Sequence, residues 1–247
     1  MEYYKSVAFA KLNKLLCGIN LLQLSMVTLD ELKIIISNIN PSDSVLDIGV
    51  GMGRVTEYLC AETGADFTGI DIDEGNLNIA KAVAHEKLRF QTADMTNLPF
   101  AENTFDAVLL LDSLNFVKDR NAALDGIYKV IKNNGLLCIC WSQPPQFPME
   151  AVSHEYSEVG IWANTRNLSY KAFDRTKEHE AYWKNYKTIL SEMENEFKAE
   201  GLIDFWKQTM ISVESVEEIA KSNILARWVY IIEVGNVCFM QKMNEEK

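Results

Sequence analysis

The segment Val45-Leu46-Asp47-Ile48-Gly49-Val50-Gly51-Met52-Gly53-Arg54 constrains the fold more than any other part of the chain. An apolar run of strand character, 44–48, stops at three alternate glycines. Helical periodicity resumes at Arg54, with Val55, Tyr58 and Leu59 on one face. A strand that ends in glycines and continues as a helix is a unit of a parallel α/β sheet, bent sharply and open to a ligand at the bend. Dinucleotide-binding folds use such a turn too, but their third glycine comes one place later, where this chain has Arg54. Asp47 stands just before the turn, suited to the polar end of a ligand. Asp71 follows Gly49 by 22 residues, where a carboxylate can take both hydroxyls of a ribose.

The pattern of short apolar runs and helical stretches continues to residue 141, as βαβ units require. Strands are predicted at 66–71, 88–92, 105–111 and 136–141, and helices at 54–62, 74–84 and 120–131. The unbroken apolar run at 105–111 suits a strand buried on both faces. Cys138 and Cys140 would share one face of the fifth strand and be buried there. Residues 9–38 hold two predicted helices. A proline-rich linker at 143–148 leads into a helix-rich, acidic, aromatic stretch at 150–222. Residues 225–233 and 236–242 read as two strands of a hairpin around Val234-Gly235. The organisation expected is therefore an N-terminal helical segment (1–40), a ligand-binding core (41–143 plus 223–243) and a helical cap insertion (144–222).

Taken in order, Asp47 to Gly53, then Gly69-Ile70-Asp71-Ile72-Asp73, then Ala93-Asp94-Met95 with Leu98-Pro99-Phe100, resemble the successive cofactor motifs of class I S-adenosylmethionine-dependent methyltransferases. Phe105-Asp106-Ala107-Val108 and the turn into Leu136 resemble that family's fourth and fifth strand segments. Asn133-Asn134 stands where a Lys-Pro-Gly-Gly turn is usual. The resemblance spans roughly residues 40–142. It implies a Rossmann-like, doubly wound, seven-stranded and mostly parallel sheet with a C-terminal antiparallel hairpin. It implies S-adenosylmethionine as cofactor and S-adenosylhomocysteine as product. Gly49, Gly51 and Gly53 would underlie the methionine portion, Asp71 would hold the ribose, and Asp94 with Met95 would face the adenine. Asp47, Ile72 and Leu111 complete the expected cofactor-binding set.

Three other features bear on the partner. The net charge of −11 and the lack of a Lys/Arg cluster exclude a nucleic-acid partner, and the chain carries no apolar run of membrane-spanning length. Five scattered cysteines fit free thiols in a reducing cytoplasm and show no metal-ligand spacing, so no metal is expected. Asp112-Ser113-Leu114-Asn115, at the end of the fourth strand, lacks the Asn/Asp-Pro-Pro-aromatic motif of DNA amino-methyltransferases.

A small-molecule acceptor, an amine among the candidates, is therefore expected, handled by a monomer or homodimer. Methyl transfer from a sulfonium needs alignment and dryness more than acid–base help. Asp112 and His154 are the candidate catalytic groups. Asp112, Asn115, Trp162 and Trp183 are the candidate acceptor contacts, the tryptophans from a cap closing over the sheet edge, with Tyr3 and Tyr4 as lid candidates. Two alternatives stand: the same fold binding the cofactor without methyl transfer or running other chemistry, and a nicotinamide oxidoreductase, disfavoured by Arg54.

Overall fold

The computed structural model describes residues 3–23, 26–143, 153–221 and 225–237. Two helices, α1 (Val7–Cys17) and α2 (Leu29–Ile36), precede the sheet. Each starts on a hydroxyl cap. Ser6 accepts from Phe9 N, and Thr28 and Glu31 form a reciprocal capping box. Strand β1 (Ser44–Ile48), helix α3 (Arg54–Thr63), β2 (Asp66–Asp71), α4 (Glu74–Ala80) and β3 (Leu88–Thr92) follow. Then come β4 (Phe105–Leu111), α5 (Arg120–Val130) and β5 (Ile131–Ser142). The remainder is α6 (Glu158–Thr165), β6 (Leu168–Asp174), α7 (Thr176–Glu192), α8 (Glu194–Ala199), α9 (Ile203–Lys221) and β7 (Arg227–Val237).

The seven strands form one sheet in the order β3-β2-β1-β4-β5-β7-β6. Strands β1 to β5 pair in parallel, while β7 runs antiparallel to both β5 and β6. The order reverses direction at β1 and β4, and it is outside the carboxyl ends of strands at such a point that ligands bind in open α/β sheets. One face of the sheet is covered by α5 and α6, the other by α2, α3 and α4. Cys138 and Cys140 are fully buried on β5. A third apolar cluster joins α1 to α7, α8 and α9 and reaches Met52 in the glycine turn.

Two expectations need correction. The antiparallel C-terminal pair exists, but its members are β6 and β7. Residues 227–237 form one strand that passes straight through Val234-Gly235. Gly235, at φ +88°, sits where the β6 register shifts between Leu168 and Ser169, so its conformation serves a bulge and not a hairpin turn. Residues 238–242 lie outside the described residues, as does the proline pair at 144–145. The helix-rich stretch expected to form a helical cap insertion also contributes an edge strand, β6, to the sheet.

Candidate functional site

Where β1 ends, the N–H groups of Gly49 and Val50 both donate to the Ile70 carbonyl, at 2.8 and 3.1 Å. This ties the turn to β2 and aims it along the carboxyl edge. Gly51, at φ +52°, is the glycine that matters to a ligand. A methyl group built on it would meet no atom within 4 Å, because it would project into open space. Gly53 answers to packing instead: a methyl there would lie 2.7 Å from Ala80 Cβ and 2.8 Å from Phe90 Cζ. Gly53 is also the N-cap of α3 and offers no side-chain acceptor, so the first N–H groups of α3 remain available at its positive end.

That turn forms one wall of a cavity of about 870 Å³. All the residues expected on the cofactor side line it: Asp47, Gly49, Gly51, Gly53, Asp71, Ile72, Asp94, Met95 and Leu111. So do Asp112 and Asn115 from the acceptor set, and Tyr3 from the N-terminal segment. Asp71 accepts from Gly51 N (2.8 Å) on one oxygen and from Asp73 N (2.9 Å) on the other, and each oxygen keeps a second lone pair. Asp94 uses one oxygen for the Thr96 N–H and hydroxyl, which hold its carboxyl below the usual range. Ile72 leaves 71% of its surface exposed at the cavity. Asp47 is buried; burial pushes its carboxyl up to about 7, the Thr56 hydroxyl (2.7 Å) pulls it back, and Asp71 adds an upward push.

The acceptor candidates divide. Asp112 has φ +63°, a conformation that is strained for a residue with a side chain. Its carboxylate is not a free base. Arg227 donates to it at 2.6 Å and Met26 N at 3.1 Å. His154 is absent from the cavity lining and sits beside Tyr170, with Nδ1 3.3 Å from the phenol oxygen. Trp162 is a core residue at 1% exposure. It donates to Asp125 at 3.0 Å and carries Arg166 over its ring. Trp183 is likewise buried, donating to His179 at 3.0 Å and stacked on Tyr186. Neither tryptophan reaches the cavity. Both were expected there because aromatic content alone does not separate packing from contact with a ligand. Helix α9 touches the cavity lining at one remove: its Phe205 stacks on Tyr3 with ring centroids 4.9 Å apart, and Tyr3 lines the cavity.

Leu21, Gln23 and Met26, which the sequence did not single out, also line the cavity. Arg227 and Glu31 were also missed. The local signals for them were slight: an arginine opening an otherwise apolar strand, and a capping-box glutamate.

Residues 46–139 match the family model described as a methyltransferase domain. The chain carries a methyltransferase domain. Its match to the demethylmenaquinone methyltransferase of Bacteroides fragilis is 32% identical over 47% of this chain and 51% of that protein. The corresponding enzyme of Corynebacterium urealyticum is 40% identical over 44% and 45%. The chain thus spans about half the length of the curated relatives it matches. In fold, the domain and its surrounding elements superpose on a cyclopropane synthase from Mycobacterium tuberculosis with a TM-score of 0.72, at 12% identity, covering 94% of this chain and 95% of that one. A phosphoethanolamine N-methyltransferase of Haemonchus contortus in complex with S-adenosyl-L-methionine gives 0.69 at 18% identity, covering 92% and 56%. The methyltransferase domain therefore sits in a Rossmann-like sheet, and no helix among the described residues is long and apolar enough to cross a membrane.

Proposed function

We propose that this chain transfers a methyl group from S-adenosylmethionine to a small molecule, and that the acceptor attacks through a neutral amine. The observation that carries the reading is one continuous cavity, lined both by the glycine turn, Asp71 and Asp94 and by Asp112, Ser113 and Asn115. Its volume lies within the range of small-molecule sites, 300–1,000 Å³.

The residues fit the cofactor in chemical terms. The free N–H groups at the start of α3 suit its carboxylate, and Asp47 suits its ammonium group. The unused lone pairs of Asp71 suit the ribose hydroxyls. The second oxygen of Asp94 suits the adenine amino group, with Ile72 against the ring. When bound, the cofactor supplies a methyl group already activated on a sulfonium. What remains for the protein is to align an acceptor and exclude water. Met52, Met26, Leu21 and Leu111 provide that apolar surround.

The amine follows from what the cavity lacks. Among the described residues, no histidine or cysteine lines it, and its one phenol, Tyr3, is pushed above its usual pKa by burial and then by Asp73. Asp112 is committed to Arg227. The candidate base at the acceptor position is thus already engaged, whereas a neutral amine needs no base until after transfer. Net charge agrees. One guanidinium faces two buried carboxylates, leaving an unbalanced negative charge that favours the ammonium product beside it. A cytoplasmic setting is part of this proposal, supported by four free, buried cysteines among the described residues.

The test is to supply methyl-labelled S-adenosylmethionine with a panel of small amines, phenols and a reduced naphthoquinone. Label should pass to amines. Transfer to the phenol or quinol members alone would overturn the amine reading. Tight cofactor binding with no transfer to any small acceptor would overturn methyl transfer itself.

A further inference from the structure

Arg227 opens β7 and is fully buried. Because β7 runs antiparallel to β5, its first residue lies at the same edge as the ends of β4 and β5, across from Ser142 in the register. All five of its N–H donors are used. Nε and one terminal nitrogen grip Glu31 at 2.6 and 3.0 Å. Asp112 is held at 2.6 and 3.3 Å, and the Ser142 hydroxyl at 2.9 Å. Each carboxylate also accepts from the main chain: Asp112 from Met26 N at 3.1 Å, Glu31 from Thr28 N at 2.8 Å. The backbone on both sides of Val27 therefore hangs from two carboxylates that one guanidinium bridges. Met26 lines the cavity beside the sheet edge that carries Asp112, to which its N–H is bonded.

From this arrangement we infer that Arg227 is a positioning residue for the acceptor end of the cavity. Its fork sets where Asp112 and the 26–28 wall stand relative to each other, without touching a ligand. A planar guanidinium can do this and an ammonium cannot, since only the former offers donors in fixed directions to three partners at once. The strained Asp112 backbone belongs to the same device. A carboxylate with several charge-assisted bonds compensates for a conformation that an unbonded side chain would not hold. The inference rests on the proposed function for the word acceptor, but its geometry can be examined with no ligand present.

The test is amide hydrogen exchange on the ligand-free protein, with calorimetric titration of S-adenosylmethionine alongside. Two variants are compared with wild type. Arg227→Lys keeps the charge and loses the fork. The triple variant Arg227→Met, Glu31→Gln, Asp112→Asn removes all the charges together, so that no lone carboxylate is left buried to unfold the chain. In both, the Met26 and Thr28 amides should exchange about tenfold faster or more, while the Leu109 and Leu110 amides of β4 keep their protection. S-adenosylmethionine affinity in Arg227→Lys should stay within about threefold. Unchanged protection at Met26 and Thr28 would overturn the inference. Equal loss across β4, or loss of cofactor binding in step with it, would show a general stabiliser and overturn it as well. If wild type itself fails to bind S-adenosylmethionine, the proposed function falls, and the exchange result still decides the role of Arg227.

Discussion

Replacing Asp47 with Asn should stabilise the protein above neutral pH and change little in acid. Asp47 is 2% exposed, and burial raises its carboxyl from 3.8 to about 7 despite the Thr56 hydroxyl bond. Below about pH 4 both folded and unfolded chains hold the proton, so burial of the neutral acid is tolerated. Between 3.8 and about 7 the unfolded chain ionises first, and the stability that the neutral form contributes is lost as the pH rises. Above about 7 the folded protein contains a buried carboxylate. At about 1.4 kcal/mol per pH unit, that rise is worth about 4 kcal/mol. Asn cannot ionise and lacks this slope. Urea unfolding of wild type and Asp47→Asn should therefore coincide near pH 4 and differ by about 4 kcal/mol near pH 8, with Asn the more stable. A difference that does not vary with pH would refute the reasoning, since it would mean that Asp47 is ionised, or neutral, throughout.

Asp71→Ala should weaken S-adenosylmethionine by about 1.5–3 kcal/mol in a calorimetric titration, the range for hydrogen bonds to a charged group. Gly51→Val should abolish that binding, because its side chain enters open cavity. Its unfolding free energy should fall only by what a left-handed backbone costs a side chain, about 1–2 kcal/mol. Trp162→Ala and Trp183→Ala should each lose about 3–5 kcal/mol of stability by urea unfolding, as core truncations do, with S-adenosylmethionine affinity of the folded fraction unchanged. A loss of affinity with stability intact would return those tryptophans to the site.

The parallel half of the sheet was legible because its signals are local. Each strand is a short apolar run closed by a glycine or Asx turn, and strand-end residues such as Asp47, Asp71 and Leu111 necessarily meet along one edge. Their shared cavity follows from strand direction alone. Strand β6 was not legible. It is an edge strand whose side chains are mostly part-exposed, so Tyr170, Lys171 and Phe173 give no two-residue period to read. The tryptophans misled for a related reason: β7 and β6 extend the sheet face beyond β5, and that added face needs Trp162 as its cover. Arg227 and Glu31 carried no periodic signal at all. Their partners lie far along the chain, and only the antiparallel placement of β7 brings them together.

That separation has a bearing on how the molecule is made. The turn from Gly49 to Gly53 closes against β2 through residues a few dozen positions away at most, so it can take shape early in synthesis. Arg227 joins Glu31 across 196 residues and Asp112 across 115, contacts of the kind that form late in folding. Until β7 docks, a nascent chain holds Glu31 and Asp112 with no guanidinium between them. Entry of the arginine supplies the guanidinium that bridges the two carboxylates. A ribosome-bound or truncated product lacking β7 would thus own the glycine turn without the clasp that joins Asp112 to Glu31.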